Sequence, residues 1–216
     1  MIRNILFQGD SITDCGRSRE GNLPLGSGLG AGYPALVAAR LLRDKTDREW
    51  TITNRGISGN RVVDLYARWK VDALNLQPEF ISILIGVNDT WHEYPNQNGV
   101  EVPRYEKVYR ELLAWTKEAL PDVKLLLMEP FILPFGAVAP NWKPEMDERR
   151  AVVRKLVREF DTLFLPCQEI LDKALEKAPQ EYWLRDGVHP TRAGHQLLAD
   201  EWLKLALPTI GGGSWA

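Results

Sequence analysis

The residues that invite a chemical reading are a serine near the start of the chain and a histidine near its end. Ser11 follows Gln8-Gly9-Asp10, which come after the apolar run Ile5-Leu6-Phe7. A hydroxyl in that position becomes a nucleophile if a base takes its proton. His189 stands in Asp186-Gly187-Val188-His189-Pro190. An aspartate and a histidine three apart on a turn can face the same way, the carboxylate holding the Nδ1 proton and leaving Nε2 as the base. The other histidines fit less well. His92, beside Trp91, has no obvious acidic orienter, and His195 falls inside a helical pattern as a packed or surface group. Acyl transfer also needs donors aimed at a carbonyl oxygen as it turns negative. The backbone N–H groups of Ser11 and Gly59 and the side-chain amide of Asn88 are the candidates. Each has a plainer reading: Asp10-Ser11 as a helix cap, Asp186 and Pro190 as a helix entry, Asn88 as a turn former bonding its own backbone.

These residues matter only if the chain brings them to one place. Ile5-Leu6-Phe7 predicts a short buried strand closed by Gly9, and Trp50 to Thr53 predicts a second, ending in Asn54-Arg55-Gly56-Ile57-Ser58-Gly59-Asn60. Phe80 to Ile85 is apolar but for one serine, as a strand buried on both faces should be, and it ends in Gly86-Val87-Asn88-Asp89. Val123 to Met128 and Thr162 to Leu165 complete five. Helical spacing of apolar residues predicts helices over Ala35–Arg43, Val62–Asn75, Arg104–Ala119, Glu145–Phe160, Gln168–Ala178 and Thr191–Leu207. Strands that alternate with helices imply a parallel sheet inside a three-layer α/β/α sandwich, joined by right-handed crossovers. The expected strand order is 2-1-3-4-5, flavodoxin-like, with its switch point between strands one and three. Ser11 and Asn88 then face each other across that point.

Composition narrows the function classes. The 216 residues read as one domain, residues 1–216, with a net charge of −2 from 27 Lys and Arg against 29 Asp and Glu. The charges are scattered, so nothing points to nucleic acid. No apolar run reaches the length of a membrane span and no signal peptide precedes Gly9-Asp10-Ser11, which makes the cytoplasm the expected location. Cys15 and Cys167 form neither a disulfide framework nor a metal set, and no His, Asp or Glu spacing suggests a metal or another cofactor. Glycines at 16, 21, 26, 28, 30 and 32 match neither a P-loop nor GxGxxG. They suggest a mobile rim over the site. Trp215, beyond Gly211-Gly212-Gly213, is expected either to lie in a disordered end or to dock on another subunit and make a homo-oligomer.

Together, Gly9-Asp10-Ser11-Ile12-Thr13, Gly56-Ile57-Ser58-Gly59-Asn60, Gly86-Val87-Asn88-Asp89 and Asp186-Gly187-Val188-His189-Pro190 resemble the four blocks of the SGNH (GDSL-type) hydrolase family, in order and in long spacing. Ile12 replaces the leucine of the eponymous motif. The resemblance implies Ser11 as nucleophile, His189 as base, Asp186 as its orienter, and Ser11, Gly59 and Asn88 as the oxyanion hole. The chain is also similar to the intracellular acetylxylan-esterase branch of that family in length, in the glycine-rich loop and in Tyr182-Trp183-Leu184-Arg185 before Asp186. That similarity implies a small-molecule substrate, an acetylated xylo-oligosaccharide. Trp91, His92, Tyr94, Trp142 and Trp183 are the candidate sugar contacts, since aromatic faces stack on sugar rings; the alternative is that the tryptophans merely pack the loops. Two rival functions are a short-chain lipolytic esterase or thioesterase and a non-catalytic glycan-binding protein.

Overall fold

A computed structural model describes residues 2–20 and 24–211. Residues 21–23 of the glycine-rich loop and the tail with Trp215 lie outside the described residues, and with them the expected role of Trp215 in assembly.

Along the chain come β1 (Asn4–Gly9), α1 (Ser11–Asp14), a 3-10 turn (Pro24–Gly26), α2 (Tyr33–Asp44), β2 (Thr51–Asn54) and α3 (Val62–Asp72). After a second 3-10 turn (Leu74–Leu76) follow β3 (Phe80–Leu84), α4 (Val87–Trp91), α5 (Glu93–Asn96), α6 (Val102–Ala119) and β4 (Lys124–Met128). The chain ends in α7 (Trp142–Phe160), β5 (Leu163–Leu165), α8 (Cys167–Ala174), α9 (Gln180–Trp183) and α10 (Arg192–Ile210). The strands form one parallel sheet in the order β2-β1-β3-β4-β5. This is the order read from the sequence.

Alternation along the strands divides the interior between the two faces. Ile5, Phe7, Phe80, Leu126 and Met128 pack with α2, α8 and α10, while Leu6, Ile81, Ile83, Leu125 and Leu127 pack with α3, α6 and α7. Trp202 of α10 is fully buried, lies against Phe7 and Phe80, and donates its indole N–H to Ser82 Oγ at 3.0 Å.

Several boundaries differ from the sequence reading for identifiable reasons. α7 starts at Trp142, three residues early, because Pro144 falls in its first turn, where a missing N–H costs no hydrogen bond. α8 stops at Ala174, and turns in which the Glu176 N–H donates to Lys173 O and the Lys177 N–H to Ala174 O carry the chain towards Pro179. Trp50 stays outside β2 and donates to Lys45 O at 3.1 Å. The 3-10 turn at Leu74–Leu76 takes the end of the helix expected to run to Asn75.

Candidate active site

β1 lies between β2 and β3 and delivers Ser11 to the carboxyl edge of the sheet, at the switch point. Asp10 caps α1, its Oδ1 accepting the Ile12 N–H at 3.0 Å. Ser11 is the first residue of that helix, and its Oγ lies 2.9 Å from His189 Nε2. Asp10 is therefore the helix cap, and Ser11 is left facing the imidazole. Asp10 is fully enclosed and its Oδ2 has no hydrogen-bond partner among the described residues. Desolvation pushes its carboxyl up to about 7 despite the Ile12 N–H.

The loop after β2 is pinned by side chains that precede or flank it. Asn54 accepts the Gly56 N–H through Oδ1 (2.9 Å) and donates Nδ2 to Thr13 O (2.6 Å) and Leu29 O (2.8 Å). Asp14, three residues after Ser11, accepts the Ser58 N–H at 3.0 Å and an Arg19 N–H at 2.5 Å. Gly59 then adopts φ +82°, a left-handed conformation that a side chain would strain. Its N–H and that of Ser11 are taken by no turn or cap hydrogen bond among the described residues. Asn88, on α4 beyond β3, donates one amide proton to Asn60 O at 3.1 Å and keeps the other. Next to it the buried Asp89 accepts the Val62 N–H that opens α3, at 3.0 Å. Burial raises the Asp89 carboxyl to about 7 against the pull of Arg149.

His189 sits on a turn between α9 and α10. Leu184 pairs with Pro190, and the Arg185 N–H donates to His189 O at 2.8 Å. Asp186 Oδ1 accepts the N–H groups of Val188 (3.0 Å) and His189 (2.8 Å), and its Oδ2 accepts the His189 Nδ1–H at 2.7 Å. Burial alone would raise the Asp186 carboxyl; the hydrogen bonds from His189 and Val188 outweigh it and hold it below its ordinary value. With Nδ1–H given to a carboxylate, Nε2 is the acceptor that faces the Ser11 hydroxyl. The proline-rich loop 130–141 supports this turn through backbone alone. Leu133 N–H donates to Gly187 O (2.8 Å) and Ala137 N–H to Asp186 O (2.9 Å). At Gly187 (φ +88°) an added Cβ would stand 2.3 Å from Phe135 O.

Ser11, Asp186 and His189 open into a cleft of about 360 Å³ that Ser58, Cys15 and His195 also line. His195 is packed: its Nδ1 accepts the Tyr33 N–H at 3.2 Å and its Nε2 lies 3.5 Å from Cys15 Sγ. Burial and the nearby Arg185 charge depress its pKa to about 4. On the far side of His189, Trp91 lies 5.7 Å from the imidazole and 5.3 Å from Trp142, which in turn stacks on Tyr94. Trp142 is 2% exposed, so Trp91 and Tyr94 present the surface of this wall. His92 flanks Gly59. Trp183 stands apart, edge-on to Tyr182 and donating to Ala178 O at 3.2 Å.

Two supporting residues escape the sequence reading. Asp14 is one. The other is Arg149, fully buried on α7, which donates to Thr90 Oγ1 at 2.9 Å and to Val100 O and Glu145, bracing the segment that carries Asn88. Its signal was its register, three residues after Met146 and four before Val153 on the inward stripe. Among the described residues, no group of three or more His, Cys, Asp or Glu gathers as metal ligands would.

A family model for GDSL-like lipases and acylhydrolases matches residues 7–197. The chain belongs to that family. As a GDSL-type acylhydrolase it is a serine ester hydrolase, and its relatives agree. It is 38% identical over 206 residues to an acetylxylan esterase of Geobacillus stearothermophilus, covering 93% of this chain and 92% of that one. It is 28% identical to the thioesterase 1/protease 1/lysophospholipase L1 of Escherichia coli, covering 87% and 84%. Among solved structures, a GDSL-like lipase from Parabacteroides merdae superposes with a TM-score of 0.89 at 44% identity, covering 98% of both chains. The Geobacillus acetylxylan esterase gives 0.84 at 36% identity, covering 94% and 93%.

Proposed function

We propose that this GDSL-type hydrolase removes acetyl groups from carbohydrate, with acetylated xylo-oligosaccharides as substrate. The observation that carries the reading is the hydrogen-bonded series Ser11 Oγ, His189 Nε2, His189 Nδ1 and Asp186 Oδ2, opening into a cleft beside an aromatic wall. The similar Geobacillus enzyme supports it: catalytic mutants of that acetylxylan esterase replace a serine, an aspartate and a histidine by alanine.

In this mechanism His189 Nε2 accepts the proton of Ser11 as Oγ attacks the acetyl carbonyl. The oxyanion forms against the N–H groups of Ser11 and Gly59 and the free amide proton of Asn88. Collapse expels the sugar alkoxide, which takes the proton from His189. Water then attacks the acetyl-enzyme, gives its proton to the same nitrogen, and acetate leaves as Ser11 recovers its hydrogen. Asp186 stays ionised and stabilises the imidazolium at both stages. Trp91 and Tyr94 stack on the sugar, and His92 borders the oxyanion hole.

Acetate release from a panel of acetylated xylo-oligosaccharides, compared with 4-nitrophenyl esters of increasing acyl length, tests this. The acetylated sugars should be turned over with the highest kcat/KM, and rates on the chromogenic esters should fall beyond acetyl. A maximum on long acyl chains with no acetate released from sugars would favour a lipolytic enzyme.

A further inference from the structure

Arg185 is the one lysine or arginine among the described residues lining the cleft that holds Ser11 and His189. Its side chain is exposed and has no hydrogen bond or ion pair with any described residue. Its backbone, by contrast, is fixed. The N–H is donated to His189 O, Leu184 pairs with Pro190, and Thr191 ties Tyr182 O and Trp183 O from the far side. The side chain is thus rooted at a fixed point of the backbone beside Ser11 and His189, with its five N–H donors unused.

Four nearby arginines are committed elsewhere. Arg17 donates to Gly56 O and Ser18 O, Arg19 to Asp14 and Gly56 O, Arg61 to Asp64 and Asn98, and Arg68 to Asp72 and Asn60. The one carboxylate among the described residues of the cleft, Asp186, forms no ion pair with Arg185. Asp186 spends both oxygens on Val188 and His189, and Asp14 is buried against Arg19 and the Ser58 N–H. Among the described residues Arg185 is the cleft's one positive side chain, beside an Asp186 carboxylate that is turned to the His189 imidazole. The charge is felt at His195, which also lines the cleft and whose pKa it helps to lower after burial. At about 360 Å³ the cleft lies within the range of small-molecule sites.

We propose that Arg185 binds a carboxylate on the alcohol part of the substrate, making acetylated acidic oligosaccharides, those with a uronic acid near the ester, the preferred substrate class. The guanidinium fork matches the two oxygens of a carboxylate and would gain nothing comparable from a neutral sugar hydroxyl. The inference rests on the esterase reading above and sharpens it.

A matched pair of acetylated oligosaccharides, neutral and uronic-acid-substituted, tests it in wild type, Arg185→Gln and Arg185→Glu. The quantity read is the acidic-to-neutral ratio of kcat/KM within each variant, so any general loss of activity cancels. Wild type should favour the acidic ester roughly tenfold, chiefly through KM, and the preference should shrink in 0.5 M salt. In Arg185→Gln the ratio should fall to about one, and in Arg185→Glu below one. Calorimetric binding of the same two oligosaccharides without their acetyl groups gives a readout that needs no turnover. If neither ester is hydrolysed yet the acidic sugar binds tighter in an Arg185-dependent way, the acetylesterase reading falls and the carboxylate site stands. Hydrolysis with no acidic preference, or a preference that survives Arg185→Gln, overturns the carboxylate site.

Discussion

The two sides of the reaction centre are held by opposite means. On the Ser11 side, buried polar side chains grip backbone: Asp10 the start of α1, Asn54 and Asp14 the loop to Gly59, Asp89 the start of α3. On the His189 side, apart from the turn's own Asp186 and Thr191 bonds, the support comes from backbone gripping backbone. Loop 130–141 bonds to Asp186 O and Gly187 O, and it approaches so closely that only glycine fits at 187. The first side should answer to pH and to side-chain deletion. The second should answer to backbone bulk.

The comparison breaks most readily at its shared point, Ser11. Ser11→Ala should leave the fold intact and lower kcat roughly 10³-fold or more on a 4-nitrophenyl acetate assay, because triad members act as a unit. A variant keeping wild-type turnover would remove Ser11 from the chemistry and leave the 2.9 Å contact with His189 a structural one.

Next in size is Asn88→Ala. On the proposed mechanism this side chain donates to the oxyanion, and its loss should cost about 10²–10³ in kcat, or about 2.7–4 kcal/mol, with KM far less affected. An effect confined to KM would make Asn88 a ground-state binder.

Gly187→Ala addresses the backbone-held side. A left-handed alanine is strained by about 1–3 kcal/mol, and here the Cβ also meets Phe135 O. Denaturant melts should show the loss of stability, and kcat should fall as the His189 turn shifts. Unchanged stability would mean that the loop yields easily and is no support.

The smallest effect sharpens the contrast. Asp10 and Asp89 titrate near 7 in the folded protein against an ordinary value of 3.8. Their protonated forms are favoured by folding, so the stability they contribute is full below about pH 4 and is lost as pH rises through 7. His195, depressed to about 4, acts in the opposite direction by losing stability as pH falls below its unfolded value of roughly 6.5. Asp10→Asn should flatten the decline between pH 5 and pH 8 by on the order of 1–2 kcal/mol, measured by thermal melts across pH. An identical slope in the variant would show that Asp10 is ionised in the folded state throughout.

This division also explains what could be read from sequence. Gly9-Asp10-Ser11 and Gly86-Val87-Asn88-Asp89 carry both the site groups and their anchors within a few residues, so local pattern suffices. The strand order was legible for a similar reason: apolar strands alternate with helices, and crossovers have one hand. The support of His189 was not legible. Leu133 and Ala137 act through N–H groups that every non-proline residue owns, so residue type gives no sign of the contact. Arg149 was hidden for another reason. A charged residue on an inward stripe reads as an interruption until the oxygens of Thr90 and Val100 are seen around it.

The hydrogen bond between Ser11 and His189 spans 178 positions. It can form only after β1 has found its place, the four crossovers after it have docked, and the last turn has settled on loop 130–141. Loop-closure entropy makes so distant a contact one of the slower to form. In refolding, the return of hydrolysis should therefore lag the return of helical ellipticity and the burial of Trp202. A phosphonate that labels Ser11 only when a base is in reach would serve as a clock for the final assembly step.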